Sequence, residues 1–150
     1  MKVIKSSNVL ALATAAEVYY DTPLFTNKGV FRAIKTSVCF ELSNGSHLII
    51  REGMYWDENS IPYLLQWAFP KSGKYAVPAL IHDALYYKAT TTQKFADDEF
   101  KYWMQHLNIS KFQIAFRYYA VRLFGGSWFK KNVTRPGERC LHNKQLIDIV

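Results

Sequence analysis

The stretch from Pro78 to Ala89 constrains this chain most, because it combines helical periodicity with charge in an unexpected place. Spaced at about 100° per residue, Val77, Leu80, Ile81, Ala84 and Leu85 cover more than half of the circumference. A helix that is apolar nearly all round is a buried helix. Pro78 suits its first turn. Yet His82 and Asp83 stand in its middle. A buried carboxylate is costly unless it is paired, so Asp83 is expected to meet a cation, a metal or several donors. Tyr86 lies one turn beyond His82, on the same side.

A second helix follows after Thr90-Thr91-Thr92, running from about Thr92 to Leu107 with a threonine as N-cap. Ala96, Phe100, Trp103, Met104 and Leu107 form its apolar arc. Asp97 sits on the edge of that arc, with Asp98, Glu99, Lys101 and Gln105 outside it. The short link predicts an antiparallel helix pair in which Asp97 reaches His82. A histidine oriented by one carboxylate, beside a second able to hold a cation, is a general-base arrangement.

The first third of the chain reads as β. Glu17 to Tyr20 and Val30 to Leu42 are rich in strand formers, and Ser43-Asn44-Gly45-Ser46 marks a hairpin turn into His47 to Ile50. Gly53 to Pro70 reads as loop. Ser110 caps a third helix that runs to Phe124 and stops at Gly125-Gly126. From Ser127 the chain is basic and reads as irregular, with a turn at Arg135-Pro136-Gly137. The expected architecture is α+β: one domain over residues 1–126, with a small N-terminal antiparallel β-sheet and then a three-helix part. Residues 127–150 follow as a basic docking tail.

At 150 residues and 49% hydrophobic, the chain can form its own core. No apolar run approaches the ~20 residues of a transmembrane helix. The apolar run Val9 to Ala13 is short and is broken by Thr14, so no cleaved signal peptide is expected. Cys39 and Cys140 are far apart and fit reduced thiols and intracellular synthesis. The net charge of +7 suits anionic partners. Nucleic acid is the weaker reading, because no glycine-rich phosphate loop accompanies the late basic residues. The set Phe112, Phe116, Tyr118, Tyr119, Phe124, Trp128 and Phe129 reads as core or protein interface, and Arg117 and Arg122 as solvated or interface charges. There is no Gly-x-Ser-x-Gly elbow and no His-Glu-x-x-His helix. His47, His106 and His142 read as ordinary, and a metal-dependent phosphohydrolase would need a second histidine cluster.

The block His82-Asp83-Ala84-Leu85-Tyr86 with Ala96-Asp97-Asp98-Glu99-Phe100 resembles the helix pair of phospholipase A2 enzymes, above all the disulfide-free form in parvoviral capsid proteins. That resemblance implies His82 as base, Asp97 as its orienter, Tyr86 as support and Asp83 as a calcium ligand. Upstream, Gly73 alone lies where that family has a glycine-rich calcium loop. Asp57 is then either the carboxylate that supplies further cation oxygens or a turn former, with Asn59 and Ser60 as helix caps.

A second resemblance spans more of the chain. The blocks are Trp56 to Pro62, Pro70 to Tyr75, His82 to Tyr86, Ala96-Asp97 with Phe100, and Val121-Arg122-Leu123-Phe124-Gly125-Gly126. In this order they are similar to a bacteriophage family, the domain of unknown function thirteen-fifty-three, often encoded among tail genes. The resemblance implies a virion protein of the phage tail, synthesised in the host cytoplasm, with other virion proteins as partners. The two resemblances together suggest a tail-associated hydrolase of host envelope lipid esters that uses calcium. The competing expectation is a structural tail or adaptor protein in which the same polar residues only lock two helices together.

Overall fold

In a computed structural model, residues 1–11, 25–28, 31–57 and 75–150 are described, with the backbone alone for 25–28, 31–32 and 56–57. Seven strands are present among them: β1 (Val3–Ile4), β2 (Phe25–Lys28), β3 (Phe31–Ile34), β4 (Val38–Glu41), β5 (His47–Ile50), β6 (Tyr55–Asp57) and β7 (Ile147–Ile149). The helices are α1 (Ala76–Lys88), α2 (Gln93–Met104), α3 (Lys111–Phe124), α4 (Gly126–Thr134) and α5 (Glu138–Lys144). The expected strand Glu17 to Tyr20 lies outside the described residues.

The α+β class holds, and the predicted hairpin forms. β4 and β5 pair antiparallel from Val38 opposite Ile50 to Glu41 opposite His47. Gly45 takes φ of 84° in the turn, a conformation that costs glycine little. The sheet is mixed, however, with order β1-β4-β5-β7 and β1 parallel to β4. The run Val30 to Leu42 is not one strand. It breaks at Lys35 to Ser37, and its first half, β3, joins a separate antiparallel sheet of order β2-β3-β6. Tyr55–Asp57, expected as loop, is the β6 edge of that second sheet.

The three expected helices form with their caps. Thr92 Oγ1 accepts from Phe95 N at 3.0 Å, and Ser110 Oγ accepts from Gln113 N at 3.2 Å. α2 stops at Met104, short of Leu107. Gly125 ends α3, but the chain re-enters a helix at once, so the segment read as an irregular tail is two helices and a strand. Its apolar content is low, but Cys140 and Ile147 are buried and β7 pairs with β5. α1 runs through the middle of the molecule, packed by α2, α4, α5 and β7, and every residue from Ala76 to Tyr87 is buried. Burying each of its large apolar side chains is worth ~1.5–3 kcal/mol, which holds the polar pair at its centre in place. Both cysteines are free and buried. Among the described residues, no helix is long and apolar enough to cross a membrane.

Candidate functional site

Three helices converge on one buried carboxylate. α1 presents His82 and Tyr86 on one side, four residues apart, with ring centroids 4.2 Å from each other. α2 lies against α1 and brings Asp97 between them. His82 Nε2 is 2.8 Å from Asp97 Oδ1, and the Tyr86 hydroxyl donates to that oxygen, also at 2.8 Å. The other oxygen, Oδ2, accepts from Arg122 Nη1 at 3.0 Å. Asp97 is fully buried, and three polar partners take the place of water around its two oxygens. The expected pairing of His82, Asp97 and Tyr86 is therefore present as geometry.

Asp83 lies on the other side of the imidazole, its Oδ1 3.8 Å from His82 Nδ1. Burial pulls the His82 pKa down, but the Asp83 and Asp97 carboxylates more than offset this and hold it above the ordinary value. Burial and the Asp97 charge push the Tyr86 hydroxyl far above the usual phenol range, so it stays a donor. The ring thus lies between two carboxylates, with Nε2 toward Asp97 and Nδ1 toward Asp83, an arrangement that favours its protonated form.

Arg122 corrects the sequence reading, which took it for a solvated or interface charge. It is half-buried and clamps Asp97. Gly125 is a second residue that the sequence reading assigned only to helix termination. A Cβ there would collide with the Tyr86 hydroxyl and would meet Val121 O at 2.7 Å. Gln93 Nε2 also donates to Val121 O, at 3.3 Å. The block Val121 to Gly126 is thus the piece that closes the site. Glu99 was placed off the apolar arc, yet it is fully buried. It accepts from Ser43 N at 3.1 Å, from Ser43 Oγ and from Trp103 Nε1 at 3.2 Å, and so ties the hairpin turn to α2.

The metal readings fare differently. Asp83 is placed beside the imidazole as expected, whereas the Asp57 side chain lies outside the described residues. Calcium takes six to eight oxygens. Among the described residues, no three histidine, cysteine or acidic side chains gather to hold a metal. Asp83 by itself supplies fewer oxygens than calcium requires. His47, His106 and His142 lie away from this network: His47 faces Glu41, His106 meets Tyr102 O and the Tyr102 ring, and His142 meets Gly53 O and the Tyr55 ring.

A family model described as "Protein of unknown function (DUF1353)" matches residues 32–121, more than half of the chain. The chain belongs to this family. The match takes in the hairpin, α1, α2 and most of α3, and with them His82, Asp83, Tyr86 and Asp97. It stops one residue before Arg122. No curated protein and no solved structure matches the chain.

Proposed function

We propose that the chain is a bacteriophage tail-associated protein whose His82 acts as general base in the hydrolysis of lipid esters. One observation carries the chemical half. Asp97 holds His82 Nε2 and the Tyr86 hydroxyl on a single oxygen while Arg122 fixes the other, so the imidazole is oriented with Nδ1 toward Asp83. This is the arrangement implied by the resemblance to phospholipase A2 enzymes. The phage half is supported by the five sequence blocks shared with the tail-gene family.

In the proposed step, Nδ1 accepts a proton from water as the water oxygen attacks the ester carbonyl carbon. The carbon–oxygen bond of the ester then breaks, and the imidazolium returns the proton to the leaving alkoxide. Asp97 stays on Nε2 and holds the imidazole in place as it gains the proton. Asp97, Tyr86 and Arg122 are positioning residues.

A second reading is favoured by burial. His82 is 1% exposed, and Asp97 and Tyr86 are fully buried, which leaves the imidazole little contact with solvent and suits a lock between α1 and α2. Fatty-acid release from phospholipid vesicles separates the two, run with added calcium and with a chelator. The hydrolase releases fatty acid, and His82→Gln abolishes release with an unchanged circular dichroism spectrum. No release from the purified protein or from intact virions, at any calcium level, leaves the lock.

A further inference from the structure

We propose that the outward face of α3 docks on the surface of an anionic phospholipid bilayer. Phe112, Phe116, Tyr119 and Leu123 recur at steps of four, three and four residues. At about 100° per residue they fall within an arc of roughly 60° on the helix. That arc points away from Ile114 and Val121, which bury the opposite side of α3. Phe112 is 80% exposed and Leu123 75%, and the rings of Phe112 and Phe116 stack with centroids 6.4 Å apart. Single exposed apolar residues are ordinary, but four aligned along one helix mark a contact surface.

Charge selects the occupant. Between Phe100 and Gly137 the chain has no aspartate or glutamate and seven lysines and arginines. Lys101, Lys111, Lys130, Lys131 and Arg135 of this span are exposed. α3 itself carries Lys111, Arg117 and Arg122 and no carboxylate, with Asp98 of α2 reaching it only through the Tyr118 hydroxyl, away from the stripe. An aromatic and aliphatic stripe on such a basic helix has the composition of one that lies in the headgroup region of a negatively charged membrane. A second copy of the chain on the same stripe would bring two basic α3 helices together with no carboxylate of α3 from either to pair them. The choice of lipid over an acidic protein face rests on the lipid-ester reading above. Arg122 and the packing of Ile114 and Val121 fix α3 before any contact, so docking carries no cost of forming the helix.

Flotation of the full chain with vesicles tests this. Equimolar phosphatidylcholine and phosphatidylglycerol should bind at least about tenfold more protein than pure phosphatidylcholine, with binding falling as salt rises. Phe112→Ser combined with Leu123→Ser should weaken binding by about tenfold or more at an unchanged melting temperature. Flotation of that variant equal to the parent overturns the proposal, as does no flotation of either. A dimer in solution that the same double substitution dissolves assigns the face to a second copy and also overturns it. Capture by polyglutamate without vesicle binding assigns it to an acidic protein. His82→Gln should float like the parent. If both float and neither releases fatty acid, docking stands and the hydrolase reading falls.

Discussion

Gly125→Ala is the substitution whose sign separates local propensity from the site geometry. Gly125 sits at φ of −81° and ψ of −15°, which alanine adopts freely. On propensity alone, alanine at such a position would stabilise the chain by ~0.5–1 kcal/mol. The added Cβ would instead occupy the space of the Tyr86 hydroxyl. Displacing that hydroxyl loses a hydrogen bond to a charged acceptor, ~1.5–3 kcal/mol. Overpacking against the Tyr86 ring and Val121 O adds ~1–3 kcal/mol. The net expectation is a loss of about 2–5 kcal/mol, which in a chain of this size lowers the melting temperature by roughly 4–20 °C. Differential scanning calorimetry reads this directly. In a Tyr86→Phe background the hydroxyl is already gone, so Gly125→Ala should cost less there, with a coupling of ~1.5–3 kcal/mol in the double-mutant cycle. A melting temperature unchanged or raised by Gly125→Ala in the parent would refute the claim that this glycine exists to admit Tyr86.

Two further expectations concern the same network. Asp97→Asn keeps the shape but sets an amide against one of three donors, and should cost about 2–4 kcal/mol in urea denaturation at an unchanged slope; a loss below about 0.5 kcal/mol would mean that the carboxylate is not the hub. The raised His82 pKa makes its contribution to stability complete below the unfolded value of 6.5 and lost as pH rises through the folded value. The parent should therefore lose melting temperature relative to His82→Gln as pH rises above 6.5. Glu99, also raised by burial, gives a loss of the same sign beginning near its unfolded value of 4.5, and the subtraction of one variant from the other removes it.

The sequence made the centre of the site legible because its signal is local. His82, Asp83 and Tyr86 share one helix, and a polar pair inside a continuous apolar surface is visible by periodicity alone. Asp97 follows from the next helix and a short link. Arg122 was hidden because a guanidinium on a half-buried helix reads as solvated until its partner is known, and that partner lies 25 positions earlier. Glu99 was hidden for the same reason. Its burial is imposed by Ser43, in a turn 56 residues before it. The expected antiparallel sheet missed the parallel pairing of β1 because two residues, Val3 and Ile4, carry too little pattern to register as a strand. The last helices carry few apolar residues, and their places are set by polar contacts such as Asn132 Nδ2 to Tyr86 O at 3.0 Å and Asn143 bridging both backbone groups of Tyr55.

The position of β7 has a consequence for biosynthesis. Its Ile147 pairs with Ile50, made 97 residues earlier, and Val150 exchanges backbone hydrogen bonds with His47. At ~5–20 residues per second, the open edge of β5 waits on the order of 5–20 s on the ribosome for its neighbour. During that interval the β5 edge that faces away from β4 is open to any other nascent chain, until Ile147 to Ile149 emerge and cover it.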